Sequence, residues 1–310
     1  METILATSDM PAGGAAAATV ALVMAALCGA GLWRIHAALR GTTLVAAWCW
    51  AVAAVIAVAA CEAALGLAAG SGSTHTADSL RYAAACLSCC PIVAVLGAKR
   101  PQQHVWHLVV VSLWVLAALP SAGALLSPGA PLEVDLARAW LLAALIVLGC
   151  ANWLFTRFWL AAILVMAGQT ALLAEALPLG LSGLGAAGVA MGLAFWAGAA
   201  LAAVLARSPC CDDPLDLLWR DFRDPFGAAW ALRVAERINA TAVQHRWPMR
   251  LAWRGFHPID NLPRIDDLPT NRTHEHSESS RDAVRSHLTS ILRRFVADRW
   301  IAARFDESIH

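Results

Sequence analysis

Five polar side chains stand in stretches that are otherwise apolar, and their types define what chemistry the chain could support. Glu62 and Glu175 are carboxylates inside apolar runs, Arg81 and Arg138 sit at the mouths of two further runs, and Gln169 lies deeper along the run that holds Glu175. A charge in hydrocarbon costs at least about 2.5 kcal/mol unless it is paired or solvated. These groups need partners, and because all four charges fall toward the same ends of their runs, ion pairing at one depth is expected. In one reading the set lines an outward-facing ligand or ion pathway, as in a small-solute or proton-coupled transporter. In the other, which the pattern favours, it is a salt bridge internal to a helical bundle.

Cys86, Cys89 and Cys90 form a CxxCC pattern. A membrane thiol oxidoreductase uses such a pair near the outer surface to pass electrons to a quinone, with loop cysteines shuttling disulfides onward. The shuttle cysteines are missing, so inert buried thiols are the expectation, as for most of the nine cysteines, which fall inside apolar runs. His104 and His107 are three residues apart at the start of one run, share a helix face and could jointly ligate a metal or haem, with His36 on the same side. Beside Lys99, Arg100 and Trp106 they equally form a plain interfacial rim. His274 and His276 lack the further ligands of a tetrahedral site. GxxxxGK and HExxH patterns are absent, and the single lysine, Lys99, precedes Pro101 in a loop, which excludes a retinal Schiff base. No cofactor is expected, and the balance leans away from an enzyme.

The elements that position these residues follow from composition. Of the 310 residues, 59% are hydrophobic and 15% charged, against about 25% charged in soluble domains. Residues 1–205 carry 7 basic and 7 acidic side chains, whereas residues 206–310 carry 16 and 15. Two solvents are implied, with a boundary near Ala206. A net charge of +1 gives no field to attract nucleic acid.

A hydrocarbon core of about 30 Å takes about 20 apolar residues at roughly 1.5 Å each. Seven runs approach that length: Ala15 to Trp33, Thr42 to Leu67, Leu80 to Ala98, Val105 to Leu126, Leu136 to Phe155, Phe158 to Leu179 and Leu184 to Leu205. Pro91 is expected to kink the third without ending it. The first, preceded by Met1 to Ala12 with no basic residue, is expected to remain as a membrane helix, since a secretory signal opens on a basic segment. Arg34, Arg40, Lys99, Arg100, Arg157 and Arg207 follow the odd-numbered runs, while the alternate loops carry Asp78, Glu133 and Asp135. The positive-inside rule then puts the N-terminus outside and the C-terminus in the cytoplasm. Trp33, Trp106, Trp153 and Trp159 collect at the inferred cytoplasmic ends. The expected fold is an all-α membrane protein: residues 1–14 an extracytoplasmic tail, 15–205 a seven-helix bundle, and 206–310 a small, mostly helical cytoplasmic region. Gly66 with Gly70, and Gly188 with Gly192, are close-packing pairs inside the bundle or, in the sharper reading, a homo-oligomer interface.

In the cytoplasmic region, Asp213 and Pro214 read as the N-cap and first residue of a helix. After Pro225, Phe226, Trp230, Val234 and Ile238 form one apolar face of a helix ending near Gln244. Met249, Leu251 and Trp253 alternate with Arg250 and Arg254 as in a strand, which must pair with another segment or stand merely extended. Residues 257–278 read as a flexible link. Ser279 with Asp282 then caps a final helix over Ser280 to Phe305, with a net charge of +4 and an apolar face of Val284, Leu288, Ile291, Leu292 and Phe295. That helix is expected to meet the inner leaflet, dock on a cytoplasmic protein partner, or pack within the region itself.

The stretch Cys90-Pro91-Ile92-Val93-Ala94-Val95-Leu96-Gly97-Ala98-Lys99-Arg100-Pro101, with Leu218-Trp219-Arg220-Asp221-Phe222-Arg223-Asp224, resembles uncharacterised multi-pass membrane proteins of planctomycete-type bacteria. The resemblance implies a bacterial inner membrane and carries over no catalytic residue. The leading expectation is a non-catalytic membrane anchor or accessory protein with a cytoplasmic interaction region; a carrier and a thiol or haem redox protein are the alternatives.

Overall fold

The computed structural model of the chain describes residues 10–68, 74–100, 103–127, 131–181, 183–206, 213–259 and 270–306. Eleven helices and one hairpin run in the order α1 (Met10–Leu39), α2 (Val45–Leu67), α3 (Thr74–Cys86), α4 (Cys90–Leu96), α5 (Gln103–Leu126), α6 (Leu136–Trp153), α7 (Trp159–Leu172), α8 (Gly185–Leu205), α9 (Pro214–His245), β1 (Met249–Ala252), β2 (Gly255–Pro258), α10 (Thr270–Leu292) and α11 (Asp298–Asp306). A 3₁₀ turn, Leu87–Cys89, joins α3 to α4. The chain is mostly helical, and six helices are long and apolar enough to cross a membrane: α1, α2, the α3–α4 rod, α5, α6 and α8.

The sixth apolar run departs from expectation. Its helix, α7, is 14 residues long, about 21 Å at 1.5 Å per residue, and gives way to turns from Leu173. The turn residues Leu173, Ala174, Ala176 and Leu177 are buried, so the run stays apolar because it packs, and only part of it is helix. Two boundaries also shift. Helix α1 starts at Met10, inside the segment read as an N-terminal tail, and α3 starts at Thr74, six residues before the expected run.

The α3–α4 rod is the centre of the bundle. Two thirds of its membrane-length window is buried (67%), against 17–39% for the other five. A helix sheathed by protein need not be uniformly apolar, which is why this one can hold Ser79, Arg81, Ser88 and Pro91. Pro91 removes a backbone donor and crowds the preceding turn, and the chain tightens there into the 3₁₀ segment before continuing. Neighbours tie the rod in: Tyr82 donates to the Ala117 carbonyl (2.8 Å), Trp114 Nε1 to Ala83 (3.2 Å), and Gln169 Nε2 to the Ser88 carbonyl at the break (2.7 Å). On the far side α1, α7 and α8 pack closely through small residues. A Cβ on Gly192 or Gly188 would come within about 3 Å of the α7 backbone, so this glycine pair is spent on packing within the chain. Gly66 meets Ala18 of α1 in the same way, while Gly70 lies outside the described residues.

The C-terminal region from Asp213 is a helical layer against one end of the bundle. Asp213 caps α9, its side chain accepting from Leu215 N (3.0 Å), and Pro214 opens the helix. At Pro225-Phe226-Gly227 the helix kinks, with Gly227 at φ 75°; a Cβ there would lie 2.1 Å from Asn152 Nδ2 of α6. Only glycine supplies both that backbone angle and that approach. The strand at Met249–Ala252 finds its partner in Gly255–Pro258, an antiparallel hairpin. Its other edge is held by Asn239, whose amide donates to the Leu251 carbonyl (2.9 Å) and accepts from Leu251 N (2.8 Å).

The expected link shrinks accordingly. His257 and Pro258 belong to β2 and α10 begins at Thr270, leaving residues 260–269 outside the described residues. Ser279 is therefore mid-helix and caps nothing, and the Ser280 to Phe305 segment is two helices with a turn between them. Its apolar face is covered by the chain itself. Val284, Leu288 and Leu292 are fully buried, and Phe295 packs edge-on against Phe222 (5.3 Å), Phe226 (5.6 Å) and Trp230 (4.9 Å). This core is continuous with Leu44, Ile92, Val93, Val95 and Val110 at the ends of the bundle helices.

Candidate functional site at the junction of the bundle and the C-terminal layer

The outer polar residues divide into separate pairs. Arg81 grips Glu62 with two hydrogen bonds, Nε to Oε1 at 2.6 Å and Nη2 to Oε2 at 3.0 Å, and lies 3.9 Å from Asp78. Glu62 is 4% exposed, so this is the buried, bidentate pair that its cost in hydrocarbon requires. Arg138 pairs instead with Asp135, the N-cap of α6, and donates to the Leu116 carbonyl (3.2 Å). Glu175 is exposed in the turn after α7 and accepts from Gly185 N (3.3 Å), placing its negative charge on the N-terminus of α8. The structure thus unites Glu62 with Arg81 but brings neither Arg138 nor Glu175 to them. Gln169, buried, is engaged with the rod and not with Glu175.

Cys86, Cys89 and Cys90 are free and buried at the 3₁₀ break, as are Cys28 and Cys150 elsewhere in the bundle. Cys210 and Cys211 lie outside the described residues. His107 Nδ1 accepts from Trp50 Nε1 (3.3 Å), and the side chain of His104 is outside the described residues. His36 stacks on Trp48, with ring centroids 4.5 Å apart. Among the described residues no group of three or more His, Cys, Asp or Glu side chains is placed to hold a metal ion.

The most elaborate polar construction lies where the C-terminal layer meets the bundle, and the hydrophobic pattern of the sequence did not signal it. Arg157, in the turn between α6 and α7, faces Asp221 (3.4 Å) and Asp224 (3.6 Å) of α9; Arg304 of α11 also reaches Asp221 (2.9 Å), and Arg223 holds Asp224 (2.6 Å). Asp224 is 1% exposed. Trp153 donates to the Pro225 carbonyl (3.0 Å), and Asn152 accepts from Ala229 N (2.9 Å). The carbonyls at the end of α4 and in the turn after it are held from three different parts of the chain: Val93 by Trp106 (2.6 Å), Val95 by Trp230 of α9 (2.7 Å) and, beyond the helix, Ala98 by Thr43 (2.5 Å). The turn after α10 threads between the α1–α2 loop and the α4–α5 loop through backbone bonds from Thr43 N to Phe295 O (2.9 Å), Arg100 N to Arg294 O (2.9 Å) and Ala297 N to Gly41 O (2.7 Å). The only sequence hint was the density of Asp and Arg in Leu218 to Asp224.

Beside this junction a partly open cavity of about 600 Å³ runs into the bundle between α1, α2, α4, α6, α7 and α8. Its walls are mostly apolar, among them Ile35, Ala51, Ile92, Ala161 and Ala203, with Ser88 and Gln169 also lining it, and Pro225, Phe226 and Trp300 contribute from the C-terminal layer. Among the described residues, the charged ones in its lining are Arg34, Arg157, Asp221 and Arg304. No known protein family, curated protein or solved structure matches the chain.

Proposed function

We propose that the chain is a non-catalytic accessory or anchor protein of a bacterial inner membrane, in which α7 makes the seventh crossing, the N-terminus is outside and the helical layer is cytoplasmic. One observation carries the reading: the cytoplasmic layer is fastened to the bundle by the Arg157–Asp221–Arg304 and Asp224–Arg223 network and by backbone bonds to two loops, so that it is held in a fixed pose at the membrane face. A region tied down in that way presents its outer surface in one orientation, which is what an anchor for a cytoplasmic partner needs and what a freely hinged tail does not offer. The orientation rests on Arg34, Arg40, Lys99, Arg100 and Arg157 falling on the same side as this layer.

Two measurements test the reading. Asn239 and Asn271 sit in glycosylation sequons, and both are expected to stay unmodified when the full chain is inserted into eukaryotic microsomes; a glycan on either overturns the orientation. Affinity purification of the full chain in mild detergent is expected to recover a stoichiometric protein partner that is lost when exposed charges of α10, such as Arg281 and Arg285, are reversed. Substrate-dependent turnover or solute flux in reconstituted vesicles would instead favour an enzyme or a carrier.

A further inference from the structure

The cavity in the inner half of the bundle has a chemistry of its own. Its volume of about 600 Å³ falls within the roughly 300–1,000 Å³ of small-molecule sites, and its interior surface is mostly apolar, with Ser88 Oγ and Trp196 Nε1 as buried polar atoms without a hydrogen-bond partner. Those two atoms can hold a water locally, but the rest of the lining offers too few hydrogen-bond partners for water to fill the void. Left empty, it would forfeit the dispersion contacts of every side chain that lines it. At its rim the charge is positive: Arg34, Arg157 and Arg304 against Asp221. Arg157 and Arg304 are engaged with Asp221, whereas Arg34 is exposed and forms no ion pair among the described residues. Apolar depth with a cationic rim at the level of the inner headgroups matches one kind of molecule that is always at hand in a bilayer.

We propose that the cavity is a binding site for an anionic phospholipid of the inner leaflet, with an acyl chain inside the bundle and the phosphate at Arg34. Since Pro225, Phe226, Trp300 and Arg304 form part of its lining, the bound chain also packs against the cytoplasmic layer and stabilises its attachment. The occupant is set by charge complementarity, so a zwitterionic lipid with the same chains is held less well.

The test uses the full chain purified in detergent, stripped of lipid, then supplied with dioleoyl phosphatidylglycerol or dioleoyl phosphatidylcholine and passed through gel filtration. Phosphatidylglycerol is expected to stay bound at about one per chain and to raise the thermal midpoint, and phosphatidylcholine to do neither. Arg34→Gln, at an exposed position, is expected to weaken retention roughly fivefold, the factor contributed by one cation at an anionic membrane surface. Ala161→Trp, which fills the void from α7, is expected to abolish retention in a protein whose helical circular dichroism is intact; if that variant does not fold, Arg34→Gln decides alone. Equal retention of both lipids, retention indifferent to Arg34, recovery of a free fatty acid in place of a phospholipid, or no bound lipid at all overturns the proposal.

Discussion

The Glu62–Arg81 pair shows how a single ionisable side chain survives in a membrane bundle. The carboxylate is 4% exposed and both of its oxygens are engaged by one guanidinium, so the charge is neutralised where it stands. Removing one partner leaves a buried charge. Arg81→Gln is expected to cost about 3–5 kcal/mol, and the double variant Glu62→Gln/Arg81→Gln to recover most of it, measured by thermal unfolding in detergent. A double variant no more stable than Arg81→Gln alone would show that the pair does more than cancel itself. His287, on α10 of the C-terminal layer, gives a pH prediction. Burial, then Arg237 and His245, hold its pKa below the ordinary 6.5, and its Nε2 is buried without a hydrogen-bond partner. The unfolded chain therefore binds the proton more readily than the folded one. The contribution of His287 is complete above about 6.5 and is lost as pH falls below that value toward the folded pKa. Unfolding midpoints taken from pH 7.5 to 5 should fall less steeply in His287→Gln than in the parent; an unchanged slope removes His287 as the cause.

Among the elements, α9 connects local sequence most directly to tertiary attachment. Its N-cap, its proline and its four-residue apolar spacing were all legible, because each acts within a turn or two of the chain. The purpose of Gly227 was not. Its positive φ and the 2.1 Å approach a Cβ would make to Asn152 arise only when α9 is pressed against α6. Gly227→Ala is expected to loosen the layer and make α9 and the hairpin susceptible to limited proteolysis while the bundle survives; a digestion pattern identical to the parent would count against that assignment. Phe295, at the hub of three aromatic contacts and 3% exposed, is the matching hydrophobic test. Phe295→Ala is expected to cost about 3–5 kcal/mol by cavity formation. The hairpin shows the reverse case, in which Met249–Ala252 read as a strand without a partner because its mate, Gly255–Pro258, is short and holds a glycine and a proline, which break the alternating pattern.

For the whole molecule, the bundle and the C-terminal layer share one hydrophobic core that runs from Leu44 and Val110 through Trp219, Phe222 and Phe226 to Trp300. The contrast in composition at Ala206 marks a change of solvent, and the core crosses it without a break. Weakening the junction should therefore destabilise both parts together. Arg157→Ala leaves Asp221 and Asp224 short of a counter-charge, and it is expected to lower the unfolding midpoint of the full chain and to increase protease access to α9 and α11 in one step. Two well-separated transitions, with only the second unchanged from the parent, would instead describe independent units.

Membrane residence, the main helices and the kink at Pro91 were all legible in the residues, since hydropathy and backbone restriction act over neighbours in the chain. So was the pairing of Glu62 with an arginine, because an isolated charge in hydrocarbon is too costly to stand. Which arginine it took, that Glu175 caps α8 and leaves the bundle interior, and that the run carrying Arg81 and Pro91 is the central rod depended on which faces meet. Those outcomes turn on contacts between residues as far apart as Asn152 and Gly227 or Val95 and Trp230. No local pattern encodes them, because the energy that selects them exists only once the helices are packed.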